Sequence, residues 1–346
     1  MVWPSVRRRR GAINTFRYIQ PKNISGLKSV VPDNDSDYVI VGGGTDVLLK
    51  IKRNVYHPEE VIGLSAVEEI QHVERGKGVL KIGAALKLAD VISSKEISEE
   101  LPSLVSACKR IASPQLRNMA TIGGNVCLSP RCEYYDQVVW AGGFEECYKR
   151  GGDLCHVVRG GEGCYAVSCA DTPPVLIALD AQVEIEGGHG RRKIFLEDLY
   201  RNDGRDYLTI NRGEVVSQVV VPLDDSRSCV YNRYSMRGAI DFPIVGVAVS
   251  VSDSADECTR SFKVVVTGLQ ASPVRMESLE QSIGEKRNAS NYSGSEVWRA
   301  IDEEVDKLRC FRHGVLSNRF KKRTVKMLLR SGMNQLHEGW GNGEGD

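Results

Sequence analysis

Residues 38–46 read YVIVGGGTD. Three β-branched residues, Val39, Ile40 and Val41, run into Gly42, Gly43 and Gly44, which predicts a buried strand entering a glycine turn. Consecutive glycines let the backbone approach a ligand closely and present successive N–H groups in one concavity. With the hydroxyl of Thr45 and the carboxylate of Asp46 beside it, this loop has the chemistry of a pyrophosphate cradle, although a plain tight turn would use the same residues. It is not the nicotinamide-dinucleotide fingerprint: if Gly42 and Gly44 are the first two glycines, Val47 stands where the third is required.

Further strands are expected at 61–64 (VIGL) and 79–82 (VLKI). The spacing then becomes helical through Leu88, Val91 and Ile92, and again through Leu101, Leu104, Val105, Cys108 and Ala112. Pro102 separates two helices or starts the second. A second glycine pair follows in Thr121, Ile122, Gly123, Gly124 and Asn125. Two separated glycine turns, each after an apolar run, predict a clamp on one extended dinucleotide. Downstream, 174–179 reads as a short core helix, and 183–185, 215–221, 231–234, 244–251 and 262–269 read as strands. Val297, Ile301, Val305 and Leu308, then residues 315–330, have helical spacing. Strands followed by terminal helices predict an α+β C-terminal domain from about residue 228.

The chain has 346 residues, a formal net charge of +1, 41% hydrophobic and 26% charged residues. That length suggests two or three domains, and the balanced charge gives no reason to expect a nucleic-acid or membrane partner. No apolar run approaches the ~18 residues of a spanning helix. Residues 1–10 (MVWPSVRRRR) lack the apolar stretch of a secretory signal and are expected to be a solvated extension. A cytoplasmic location is therefore expected, where clustered cysteines bind metal more often than they form disulfides.

Six of the ten cysteines, Cys127, Cys132, Cys147, Cys155, Cys164 and Cys169, fall in a stretch with neither strand nor helix periodicity. So long an irregular loop needs something to order it, and thiolate ligation would serve. Four thiolates suit zinc or an iron–sulfur cluster, and the absence of a CxxC pair disfavours a ribbon-type zinc site. The histidines form no HxxxH or HExxH pattern; His156, beside Cys155, is an alternative ligand. No nucleophile elbow or acid–base pair announces substrate chemistry, which fits a protein whose cofactors carry it. The basic run 317–323 (SNRFKKR) reads as a solvated helix face or a dock for an acidic partner.

Four segments carry a resemblance: VGGGTDVLLK (41–50), TIGGN (121–125), CADTPPVLIALDAQVEI (169–185) and YNRYSMRGAIDFPIVGVAV (231–249). In this order they resemble the FAD-binding subunit of the molybdenum hydroxylase flavoproteins, the xanthine dehydrogenase and carbon monoxide dehydrogenase family, from about Phe16 to Arg330. The resemblance implies an oxidoreductase subunit with an α+β fold. A two-lobed FAD-binding domain of the PCMH or CO dehydrogenase flavoprotein type would span 13–227, with lobes at about 13–65 and 66–227 and a cysteine-rich insertion at 127–169. A C-terminal domain would span 228–335, between an extension at 1–12 and a tail at 336–346. It also implies that Val41, Gly42, Gly43, Gly44, Thr45 and Asp46, with Thr121, Ile122, Gly123, Gly124 and Asn125, hold the FAD pyrophosphate. Ile111 would pack near the flavin nucleotide, Asp171 would contact the ribose, and Arg233 would sit near the cofactor. Their plain alternatives are helix core, an N-cap before Pro173 and Pro174, and a solvated strand residue. The implied partners are a molybdopterin-containing large subunit and a 2Fe–2S small subunit in a heterotrimer that could dimerise.

Most relatives in this family have a short loop where this chain has the 45 residues 126–170. The insert resembles that of one branch, the flavin subunit of 4-hydroxybenzoyl-CoA reductase, which carries an extra 4Fe–4S cluster there. SPRCEYYDQ (129–137) matches the start of its pattern, and the later cysteines are spaced by eight (Cys147 to Cys155) and nine (Cys155 to Cys164). The implied metal ligands are Cys132, Cys147, Cys155 and Cys164, with Cys127 an alternative to Cys132; Cys127 and Cys169 otherwise read as unligated thiols. That branch implies a ferredoxin-type electron donor and reductive dehydroxylation to benzoyl-CoA in anaerobic aromatic degradation. The rivals are an oxidising molybdenum hydroxylase of the xanthine, aldehyde or CO dehydrogenase type, a nicotinamide-dependent dehydrogenase and a zinc-stabilised interaction module.

Overall fold

A computed structural model describes residues 15–32, 37–53, 55–136, 146–253, 260–284, 294–311 and 316–341. The expected extension at 1–12, Cys258, His313 and the end of the tail lie outside the described residues.

The chain opens with β1 (Arg17–Ile19), α1 (Ile24–Val30), β2 (Tyr38–Val41), α2 (Val47–Lys52) and β3 (Glu60–Gly63). The three strands form a parallel sheet in the order β1-β3-β2, with Tyr38 opposite Glu60 and Val41 opposite Gly63. Strand alternation divides β3 between two cores. Ile62 packs with Leu27, Val31 and Leu64 on one face, and Val61 packs with Val41 and Ile51 on the other. The carboxyl end of β2 delivers the chain into the glycine loop. In open parallel sheets this is the end at which ligands bind.

Next come β4 (Val73–Gly76), β5 (Val79–Gly83), α3 (Leu88–Ser93), α4 (Lys95–Glu100), α5 (Pro102–Lys109), α6 (Pro114–Arg117), α7 (Ile122–Val126), α8 (Thr172–Ala178), β6 (Gln182–Gly187), β7 (Gly190–Phe195) and β8 (Val215–Pro222). The strands make an antiparallel sheet ordered β4-β5-β8-β6-β7. Leu80, Ile82, Val183, Ile185, Val219 and Val221 pack with Leu88, Val91, Leu104, Val105, Val175 and Leu176 from the helices. Pro102 takes the first position of α5, where its missing N–H has no intrahelical partner to lose.

The last elements are β9 (Ser228–Tyr234), β10 (Val245–Asp253), β11 (Arg260–Thr267), β12 (Val274–Arg275), α9 (Glu277–Gly284), α10 (Ser295–Lys307) and α11 (Asn318–Gly341). Their antiparallel sheet runs β12-β11-β10-β9. Val245, Val247, Val249 and Val251 of β10 face α9–α11, whose Leu279, Ile301, Val305 and Leu329 complete that core. The alternate positions carry Ala248, which packs into the α8 core, and Ser250, whose hydroxyl donates to the Ala178 carbonyl at 2.6 Å. Both faces of β10 are therefore covered, which explains its nearly unbroken apolar run. Each fully buried valine there contributes roughly 1.5–3 kcal/mol. Among the described residues, no helix is long and apolar enough to cross a membrane.

Candidate functional site

Beyond β2, Gly42 and Gly43 continue the chain and Gly44 turns it through φ +72°, a left-handed conformation that favours glycine. Asp46 then leads into α2 without capping it through its side chain. Among the described residues, no group accepts a hydrogen bond from the N–H of Gly42, Gly43, Gly44 or Thr45. Four successive unpaired backbone donors in one tight loop form a nest suited to an anion. Leu48 and Met119, each about half exposed, flank the loop.

The second glycine segment lies against the first, but it is not a turn. Thr121 caps α7 by accepting from the Gly124 N–H at 3.1 Å, so Ile122, Gly123, Gly124 and Asn125 are helical. The Ile122 N–H donates to the Leu86 carbonyl at 3.0 Å, and the Gly123 N–H to that of Ala84 at 2.9 Å. The Asn125 side-chain oxygen accepts from the Thr172 N–H and hydroxyl. The N–H groups of Ile122, Gly123 and Gly124 are thus satisfied within the protein, and the expected second glycine turn is a helix start that serves as a platform. A Cβ on Gly43 would lie 1.8 Å from the Met119 carbonyl oxygen, and one on Gly42 would lie 2.5 Å from the Thr121 hydroxyl. The glycines of the first loop let it rest on the second.

The other three expected cofactor contacts lie in different settings. Ile111 is partly buried against the main core, and its carbonyl accepts from Arg117. Asp171 and Arg233 meet each other: Nη1 of Arg233 donates to the two carboxylate oxygens at 3.0 and 3.1 Å. The Tyr231 hydroxyl donates to the same carboxylate at 2.8 Å. Burial raises the Asp171 carboxyl pKa, with Arg233 pulling the other way. The pair joins the start of α8 to β9. Asp171 makes no side-chain cap, contrary to its plain alternative, and Arg233 is not a solvated strand residue.

The insert begins directly after α7. Its two ends are tied by a single antiparallel bridge: the Arg131 N–H donates to Val167 O at 2.7 Å, and the Val167 N–H to Arg131 O at 2.8 Å. Between these ends, Cys132, Cys147, Cys155 and Cys164 all line one recess, with about 310 Å³ of empty space that includes its open mouth. Tyr134, Tyr135, Lys149 and His156 complete much of the wall. Cys127 instead packs against the main core, and Cys169 is buried; burial pushes both thiols up to about 12. Among the described residues, no three His, Cys, Asp or Glu side chains are grouped to hold a metal ion, so the four thiols border a volume without converging on a point. His156 stacks on Tyr134 at a centroid distance of 4.2 Å.

Lys149 belongs to the site without belonging to any motif of the sequence. Its ammonium donates to the Ser129 hydroxyl at 2.9 Å and to the Pro130 carbonyl at 2.6 Å, and it lies over the Tyr135 ring. Burial pushes its pKa down to about 8, against the pull of Cys164. Burial likewise pushes the Cys164 thiol up to about 11, with Lys149 opposing, and raises that of Cys132. A buried cation among cysteines offsets the negative charge that thiolate ligation brings. A lysine two residues from a cysteine was the only sequence signal.

Asp46 also faces the insert. Its carboxylate pairs with Arg131 at 2.5 Å and with Lys50 at 3.2 Å. Burial raises its pKa, but Arg131 and Lys50 pull harder and hold it below the usual carboxylate range. The glycine loop and the first recess cysteine are thus neighbours through one arginine.

A parallel sheet ending in unpaired amides, joined to an antiparallel sheet roofed by helices, defines a mixed α/β fold whose glycine loop suits the phosphates of a nucleotide. The chain belongs to the family described as the FAD binding domain in molybdopterin dehydrogenase, whose pattern matches residues 14–224; it is an oxidoreductase subunit. It is 23% identical to the glyceraldehyde dehydrogenase medium chain of Sulfolobus acidocaldarius over 274 residues, covering 79% of this chain and 83% of that one. It is 23% identical over 323 residues to the nicotine 6-hydroxylase medium subunit of Paenarthrobacter nicotinovorans, covering 91% and 98%. Its fold matches a chain of carbon monoxide dehydrogenase from Hydrogenophaga pseudoflava, in a form lacking the Mo-pyranopterin moiety, with a TM-score of 0.74 and 21% identity over 92% and 96% of the two chains.

Proposed function

We propose that this chain is the FAD-binding, electron-transfer subunit of a molybdenum-dependent oxidoreductase, and that its insert holds a 4Fe–4S cluster. The observation that carries the cluster reading is one recess lined by Cys132, Cys147, Cys155 and Cys164 with a buried lysine in its wall. Four thiols, no carboxylate among the described lining residues and an enclosed cation suit a cluster. The unpaired amides of Gly42 to Thr45 suit the FAD pyrophosphate. When bound, FAD supplies one- and two-electron chemistry and the cluster one-electron chemistry.

The chain's own residues bind and position. Gly42 to Thr45 offer donors, Met119 to Thr121 support them from beneath, and Thr121 to Asn125 and Ile111 are part of the proposed FAD site. Asp171 and Arg233 lock β9 against α8. The names of the relatives, a medium chain and a medium subunit, support an assembly with separate molybdopterin-containing and 2Fe–2S subunits. We take the division at about residue 228 and a cytoplasmic location as part of this reading.

The relatives are named as dehydrogenases and a hydroxylase, which favours an oxidising partner enzyme over a reductive one. The four-cysteine recess is the specific observation on the side of a 4-hydroxybenzoyl-CoA reductase supplied by a ferredoxin-type donor. Two measurements test these readings. Anaerobic purification of the chain should yield one FAD and about four irons with matching acid-labile sulfide. FAD without iron, or zinc in place of iron, defeats the cluster assignment. Assay of the co-purified complex separates the two directions: turnover of aldehydes or purines supports the oxidising reading, and dehydroxylation of an aromatic CoA thioester supports the reductive one.

A further inference from the structure

We infer that Arg131 is a positioning residue that couples occupation of the glycine cradle to occupation of the cysteine recess. The inference rests on the flavin-and-cluster reading above. Arg131 holds three parts of the molecule at once. Nη2 donates to Asp46 Oδ1 at 2.5 Å, at the end of the glycine loop. Nη1 donates to Asp136 Oδ1 at 3.3 Å, inside the insert. The guanidinium carbon lies 4.5 Å from the centre of the Phe242 ring, in the loop between β9 and β10. The other oxygen of Asp136 accepts the backbone N–H of Cys132 at 2.9 Å, and the Asp136 N–H returns to the Cys132 carbonyl at 2.9 Å. Cys132 lines the recess. Three consecutive polar contacts thus connect the cradle to the first recess cysteine.

The chemistry suits a rigid link. A guanidinium presents a planar fork of donors, so one arginine addresses two carboxylates in fixed directions. The Arg131 side chain is only 16% exposed, so solvent screens these pairs weakly. Lys50 stands beside both carboxylates, 3.2 Å from Asp46 and 3.9 Å from Asp136, and balances the charge of the group. Filling the recess fixes Cys132, and with it Asp136, Arg131 and Asp46. A nucleotide arriving at the cradle then orders less of the chain on binding. The reverse holds by linkage: a filled cradle tightens the hold of the recess on its metal.

The test uses the full chain, stripped anaerobically of flavin and metal. FAD is titrated by quenching of its fluorescence, before and after reconstitution with ferrous iron and sulfide. In the wild-type chain, reconstitution should tighten FAD binding about tenfold, within the roughly 5–150-fold range of coupled sites. In a second readout, FAD should slow removal of iron by a chelator. Arg131→Met should bring the affinity ratio to within about twofold while each group still binds alone. If that variant fails to fold because Asp46 and Asp136 lose the arginine between them, Asp136→Asn serves instead. It keeps an acceptor for the Cys132 N–H, removes the pairing to Arg131, and should lose the coupling likewise. A wild-type ratio near one, or an undiminished ratio in the variants, overturns the link and leaves the cluster reading standing. Failure of the wild-type chain to take up iron overturns the cluster reading, and the link with it.

Discussion

Gly43 provides the sharpest test of the cradle. Adding a methyl group there puts a carbon 1.8 Å from the Met119 carbonyl oxygen, 2.4 Å from its carbon and 2.8 Å from Ala120 Cα. All three are backbone atoms, so no rotamer change relieves the clash. Ordinary contact begins at 3.4 Å, so the loop must lift off its platform by about 1.6 Å. Overpacking against fixed neighbours costs about 1–3 kcal/mol, occasionally more. The backbone on both sides places Gly43→Ala at the upper end, and Gly43→Val beyond it. If the loop yields by moving, the loss falls on the nucleotide: about 3 kcal/mol corresponds to roughly a 150-fold weaker FAD affinity. Flavin content by absorbance and FAD titration of the stripped chain read this directly, with thermal unfolding as the companion measurement. Gly188→Ala is the control, because a Cβ at Gly188 meets nothing within 4 Å. Full flavin occupancy and an unchanged melting temperature in Gly43→Ala would refute the packing argument.

Other consequences are equally open to measurement. Cys155→Ser should lose most of the iron and acid-labile sulfide while retaining FAD, whereas Cys127→Ser, outside the recess, should retain both; the reverse pattern would reassign the ligands. Asp171→Asn leaves the buried Arg233 without its counter-charge and should destabilise the chain by about 3–5 kcal/mol in denaturant unfolding, against about 1–2 kcal/mol for Tyr231→Phe, which removes one hydrogen bond. Lys321 is fully buried, donates to the Gly268 and Phe311 carbonyls, and burial pushes its pKa down to about 8. Between about pH 8 and the unfolded value of 10.5, the unfolded chain holds a proton that the folded chain has released. This group's contribution to stability therefore rises with pH across that window. The difference in unfolding free energy between wild type and Lys321→Met, taken at pH 7 and pH 10, should shift toward the wild type; cysteine titrations common to both chains cancel.

The sequence was most legible where burial imposes a period. β10 was readable because both its faces are covered, and α10 because Val297, Ile301 and Val305 recur on one side. The strands that escaped notice are short or polar. β1 has three residues, β4 reads VERG, and β7 reads GRRKIF with most positions open to solvent. An edge strand such as β7 needs no apolar alternation to pair. Gly123 and Gly124 were read as a turn because glycine is a poor helix former. Their helix is imposed from outside, by the Thr121 cap and the carbonyls of Leu86 and Ala84. The pairing of Asp171 with Arg233 is illegible for a similar reason: 62 residues separate them, and nothing local in either segment points to the other. The cysteines were legible as chemistry, but a loop's path carries no period, and neither Arg131 nor Lys149 has a signature without its partner.

The bridge between Arg131 and Val167 has a bearing on how such a protein could change over time. A detour whose two feet already stand side by side leaves and re-enters its host without stretching the elements on either side. Its length enters the free energy only as a slowly growing logarithm. Such a passage can be shortened, enlarged or exchanged between lineages while the host body keeps its shape. For the same reason, an engineer could cut at those two feet and seat a different redox cassette on the same footing.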